Sequence, residues 1–279
     1  MKIVKILDST KKTFYGITQA DHLKRKIQME DAWENYFFLG MLWTDYCRYI
    51  PLFRGYYLQF DVSLKAVRRC LYRALRKSPQ NPKVLAAMGW TYIIHSPQPK
   101  YLKVRRFFQE ACKFDPENPF YAWSMLAAMY MHGEYEQSCG EIPGIAEEDV
   151  EISFWWKMTR AFALMQIGAY ERAQECLARI KMDAIDRLPE PEEAVWTWIE
   201  ACYCAGTRER AREIYQECHA GDMRIGSPCR KYLEAETDLT IAEHEQNKKE
   251  IFEYFNPLRM VRWWDRLVGH AMDTLWEDR

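Results

Sequence analysis

Apolar residues recur at three- and four-residue spacing along most of the chain, and glycine and proline break the recurrence at intervals, a pattern of successive amphipathic helices. From Asp31 the stripe runs through Trp33, Tyr36, Phe37, Leu39, Gly40, Met41 and Trp43. Pro51 and Gly55 interrupt the aromatic stretch from Cys47 to Phe60, and a second helix is expected from an N-cap at Asp61. It buries Val67, Leu71 and Ala74 and ends at Ser78-Pro79, since the residue before a proline avoids the helical region. Residues 1–30 hold a short apolar start, a polar break at Ser9 to Lys12 and the basic run Lys24-Arg25-Lys26, to which the pattern assigns no element.

One register returns along the chain. Gly168-Ala169-Tyr170-Glu171-Arg172-Ala173 is preceded 35 residues earlier by Gly133-Glu134-Tyr135-Glu136-Gln137-Ser138 and followed 38 residues later by Gly206-Thr207-Arg208-Glu209-Arg210-Ala211. A period of this length marks a helical repeat. Leu85, Met88, Gly89 and Tyr92, followed by Val104, Phe108, Ala111 and Pro116, supply a large, an apolar, a small and an aromatic residue on one helix, then small, aromatic and small positions on the next. In this spacing the chain resembles the tetratricopeptide-repeat family over roughly residues 33–219, as five units of which three match well. The small residue lets two helices approach closely and the aromatic fills the space beside it. The resemblance implies an all-α fold, an antiparallel helix-pair solenoid wound as a right-handed superhelix. Residues 31–219 then form the repeats and 220–279 a capping or groove-filling helical region.

The departures are local. Two prolines between His95 and Lys100 lengthen one turn, and the unit beginning at Pro119 loses its second-helix pattern at Gly140 to Gly144, so a short helix is expected there. Tyr170 and Ala173 are expected to lock one helix pair. Beyond Gly226, Ser227-Pro228 reads as a cap and first-turn proline opening a polar helix toward Phe255. Asn256-Pro257 ends it, and Met260, Trp264, Leu267, Ala271 and Leu275 give a final helix one apolar stripe, widened by Trp263, Val268 and Trp276.

Composition narrows the function classes. The net charge of -1 hides a polarity, because residues 1–115 carry 21 Lys+Arg against 9 Asp+Glu and the remainder 18 against 31. Nine cysteines sit singly in apolar helical patterns without a disulfide framework, which fits reduced thiols and a cytoplasmic protein. Cys202 and Cys204 point roughly 200° apart on a helix and are poorly placed to share a metal. No apolar run of ~18 residues suggests a membrane span. His244-Glu245 lacks the second histidine of a zinc-protease helix, and nucleophile elbow, phosphate loop and calcium loop are missing, so neither enzyme nor cofactor is expected.

The candidate chemistry is therefore binding. The resemblance implies that fixed positions of each first helix build a concave face. In this chain they include Trp90 and Ile93, then Phe120, Trp123 and Tyr130. Trp155, Met158, Phe162 and Met165 follow, and finally Trp196 and Tyr203. Relatives that clamp acidic chaperone tails use lysine, asparagine and arginine there; this chain shows aromatics and methionines, which suit an apolar helix or extended peptide. The resemblance thus points to a protein-interaction scaffold similar to bacterial secretion chaperones and repeat-containing regulators. The same spacing also describes a closed core, or a groove filled in cis by the C-terminal helices, or left to them as a cap. Arg68, Arg69, Arg73 and Arg76 on one second helix and Lys103, Arg105 and Arg106 on the next form a basic face. It fits a solvated surface, an acidic partner, a second copy of the chain paired through its acidic half, or nucleic acid, the last being the alternative functional class.

Overall fold

The computed structural model describes residues 20–49, 57–93, 100–142, 149–189, 191–217, 233, 239–260 and 266–267, and all regular structure among them is helical. The chain forms two compact units, Met1–Tyr121 with Arg262–Arg279, and Ala122–Val261.

The first unit holds α1 (residues 20–29), α2 (Trp33–Tyr49), α3 (Tyr57–Lys77), α4 (Pro82–Thr91) and α5 (Tyr101–Phe114). The α1 helix lies in the segment to which the sequence pattern assigned nothing. Its Ala20, Leu23 and Ile27 pack on Leu39 and Leu42, a spacing of three and four that the neighbouring lysines obscure. The α3 helix starts at Tyr57 rather than beyond Asp61, because no glycine or proline stands between Gly55 and that point to stop it. It ends at Lys77 as expected, with Val67, Leu71 and Ala74 fully buried.

Close helix approach explains the pairing of α2 with α3 and of α4 with α5. A Cβ on Gly89 would stand 2.8 Å from the Phe108 ring, and one on Gly40 would stand 3.0 Å from Leu71 Cδ2. Phe108 sits where Gly89 leaves room and meets the Trp90 ring edge-on at 5.7 Å. The α4 helix starts with Pro82 and an Asn81 cap that accepts the Val84 N–H, and it packs on both α2 and α3.

The second unit holds most of α6 (Pro119–His132), then α7 (Tyr135–Ser138), α8 (Val150–Gln166), α9 (Tyr170–Ala178), α10 (Met182–Ile185), α11 (Pro191–Cys204), α12 (Arg208–Glu217), α13 (Ile241–Tyr254) and α14 (Pro257–Met260). The helix after α6 is cut to four residues, as its lost pattern predicted. Helix α11 packs on both α8 and α9, as α4 does on its preceding pair. A side chain ties each pair to the next: Gln174 Nε2 donates to the Ala205 carbonyl at 2.6 Å, and Arg68 Nη2 donates to the Thr91 carbonyl at 2.6 Å. Gln174 and Arg68 each follow a fully buried small or branched residue, Ala173 and Val67.

The repeated glycines end α6, α8 and α11 in one geometry. Gly133, Gly168 and Gly206 have φ of 87°, 77° and 85°. Their N–H groups donate three residues back, to Tyr130, Met165 and Tyr203, while the following N–H groups of Glu134, Ala169 and Thr207 donate five residues back, to Met129, Leu164 and Cys202. Each pair of bonds is a Schellman turn. The next helix then opens as the N–H of Ser138, Ala173 or Ala211 donates to the residue just beyond the glycine, and all three side chains are buried. Tyr170 departs from expectation: it is 42% exposed and leaves the packing to Ala173.

At the C-terminal end, α13 begins with a capping box in which Thr240 and Glu243 exchange hydrogen bonds. Asn256 Oδ1 accepts the Leu258 N–H and opens α14 beside Pro257, where the sequence placed the break. Ser227-Pro228, and all of the final stripe except Met260 and the buried Leu267, lie outside the described residues.

Two substitutions test this packing. Gly168→Ala forces a Cβ into the left-handed region with open space around it, so it costs about 1–2 kcal/mol in chemical denaturation from backbone strain alone. Gly89→Ala collides with Phe108 and costs about 1–3 kcal/mol, and adding Phe108→Leu recovers part of the loss.

Candidate functional site

The residues expected to face a groove are buried, Ile93 alone being half-buried. In the first unit Trp90 stacks on Phe120 at 6.2 Å with 10° between the rings, and both belong to that unit's core. In the second unit Trp123 Nε1 donates to Thr159 Oγ1 at 3.3 Å, and Thr159 in turn donates to the Trp155 carbonyl, locking α6 to α8. Trp155 lies edge-on to Phe154, and Trp196 edge-on to Tyr215 of α12. Met158 and Met165 fill the space along α8.

Tyr130, Phe162 and Tyr203 are covered differently, by α13 and the residues after it. Phe255 stacks on Phe162 with centroids 3.8 Å apart and 11° between the rings, and meets Tyr130 edge-on at 5.5 Å. Phe252 adds an edge-on contact to Phe162. About three turns earlier on the same stripe, the His244 ring lies against Tyr203 with a hydrogen bond between Nδ1 and the tyrosine hydroxyl, to which Asn247 Nδ2 also donates. The aromatic face is thus covered rather than open, because the chain supplies its own apolar partner. The sequence reading held a groove filled in cis by the C-terminal helices as one alternative without singling out these residues, because α13 is polar on most of its surface. Their signal was His244, Ile251 and Phe255, spaced seven and four apart, of which Ile251 and Phe255 are buried at 1% and 4%.

The basic residues lie on the first unit. Lys65, Arg68, Arg69, Tyr72, Arg73 and Arg76 line an open cleft of about 470 Å³ along α3. Arg68 lies over the Tyr92 ring at 4.2 Å, Lys103 over it at 4.4 Å, and Tyr92 also stacks on Phe107. Lys103 Nζ donates to the Tyr92 hydroxyl at 2.9 Å, which shares a further bond with Tyr72. Burial pushes the Tyr92 hydroxyl up, but the bonds from Lys103 and Tyr72 and the Lys103 and Arg68 charges outweigh it and hold the group below its ordinary value. Arg106 is exposed and Arg105 half-buried on α5.

Cys70, Cys112, Cys139, Cys176, Cys202 and Cys204 carry free thiols. Burial pushes Cys112 and Cys176 up to about 11 and Cys202 up to about 12, the reverse of what activates a nucleophile. Among the described residues no cluster of three or more His, Cys, Asp or Glu side chains is placed to hold a metal ion, and no helix is long and apolar enough to cross a membrane. No family model matches the chain, and no curated protein is significantly similar to it.

The thiols set an alkaline limit. A thiol ionises at 9 when exposed and higher when buried, so these groups leave stability unchanged below pH 9 and withdraw it as pH rises toward 12. Denaturant titrations across that range are expected to show the decline, and Cys202→Ala to reduce it.

Proposed function

We propose that the chain is a protein-interaction scaffold of the tetratricopeptide type, whose aromatic face receives an amphipathic helix from a partner protein. The observation that carries this reading is the seating of α13 and Phe255 on Tyr130, Phe162 and Tyr203. It is a helix-in-groove contact made within one chain, with anchors at His244, Ile251 and Phe255 and a polar outer surface. Ile241 and Tyr254, at the ends of α13, stand 84% and 73% exposed, so the helix is held by one narrow stripe. A partner helix with aromatic and aliphatic residues at the same spacing has the chemistry to take its place. Repeated Schellman turns and stacked helix pairs support the tetratricopeptide architecture, a solenoid of successive units. A cytoplasmic, chaperone-like adaptor that shields an apolar segment of its partner follows from the same face.

In cis, α13 competes at an effective concentration on the order of millimolar, which masks the face from weaker ligands. Full-length chain carrying Phe252→Ala and Phe255→Ala is therefore expected to bind a fluorescein-labelled peptide of residues 241–258 at least about tenfold more tightly than the unsubstituted chain does. Failure of both to bind the peptide, with the helical circular dichroism of the variant intact, would refute the reading.

A further inference from the structure

The stripe on α3 is a different kind of surface. Lys65, Arg69, Arg73 and Arg76 follow one another at three- and four-residue steps, so the stripe crosses three helical turns, ~16 Å, on one side of the helix. Val67, Leu71 and Ala74 occupy the buried side. Like charges at these steps repel one another, and such a row persists at a cost in helix stability.

In the second half, some described acidic residues are engaged within their own helices, as Glu213 is by Arg210 on α12 and Glu245 by Lys248 on α13. The carboxylate beside the stripe, Asp31, is already engaged by Lys77 and Tyr36, whose hydrogen bonds hold it below its ordinary value. A second copy would have to give up such pairs to meet the stripe. Single-stranded nucleic acid stacks on successive open aromatic rings, whereas Tyr72 is the one aromatic among the residues lining the cleft and Tyr92 is in contact with Phe107, Arg68 and Lys103.

The remaining features favour a compact ligand. Arg68 is held by the Thr91 carbonyl and the Tyr92 ring, Lys103 by the Tyr92 hydroxyl, and Arg73 lies over the Tyr36 ring at 5.8 Å, so three cations are positioned before anything binds. All six side chains that line the open cleft of about 470 Å³ belong to α3, so its cations converge on one short surface. Arginine predominates, and its planar fork matches phosphoryl oxygens two at a time. We propose that this cleft binds a soluble, multiply phosphorylated small molecule, with Lys65, Arg69, Arg73 and Arg76 contacting its phosphoryl groups.

The probe is inorganic tripolyphosphate, added to the full chain at about 50 mM salt and followed by calorimetry. Saturable 1:1 binding below about 1 mM is expected, weakened about tenfold or more by Arg69→Glu with Arg73→Glu and unchanged by Lys249→Glu on α13. Both arginines are exposed, and circular dichroism checks that the variant stays folded. No binding at that concentration, equal weakening by Lys249→Glu, or no weakening by the arginine reversals would overturn the proposal. So would tighter binding of a glutamate decamer, a single-stranded oligonucleotide or anionic lipid vesicles than of tripolyphosphate, because the surface would then serve a macromolecule.

Discussion

A helix that stops leaves its last carbonyls without partners, and the way this chain satisfies them organises the second unit. At Gly133, Gly168 and Gly206 the backbone enters a left-handed conformation, returns two N–H groups to the preceding helix and starts the next one within a residue or two. A turn this short brings the two helices side by side. What lets them close up is the small residue at the meeting point, seen most sharply where Gly89 faces Phe108 in the first unit. Turn and close approach together explain why neighbouring helix pairs are the recurring element in both units.

Once paired, the helices of the second unit present large aromatic side chains that the pairs cannot bury alone. Trp123, Trp155 and Trp196 find cover among the pairs themselves. Tyr130, Phe162 and Tyr203 depend on a segment that arrives from beyond residue 239, and Phe255 supplies most of the contact. A side chain covered by its own pair is packed locally, while one covered by a single amphipathic helix owes its burial to that helix. The basic stripe belongs to the first unit and lies on the side of α3 away from the buried Val67, Leu71 and Ala74.

The sequence made the helices, their pairing and the three glycine turns legible, because each rests on local chemistry: apolar spacing, a residue tolerant of positive φ, a small side chain where backbones meet. It overlooked α1, where lysines stand between Ala20, Leu23 and Ile27, and misplaced the start of α3, where aromatic residues extend the helix past an apparent cap. The aromatic residues of the face were identifiable by position. Their covering by the C-terminal helices was one of the alternatives the sequence left open, and the docking segment itself was not legible, since α13 announces itself with only three well-spaced anchors in a polar helix. The basic stripe was visible in sequence, whereas the anchoring of Arg68 and Lys103 through Tyr92 depends on a contact between α3, α4 and α5.

The account rests on α13 being a ligand held in cis rather than an integral part of the second unit. Native-state hydrogen exchange across α8, α11 and α13 tests this most directly. The account predicts that α13 amides exchange through a partial opening that leaves α8 and α11 protected, at a free energy at least about 2 kcal/mol below theirs. Exchange of α13 and α8 amides at one common free energy, rising together with global stability, would contradict it.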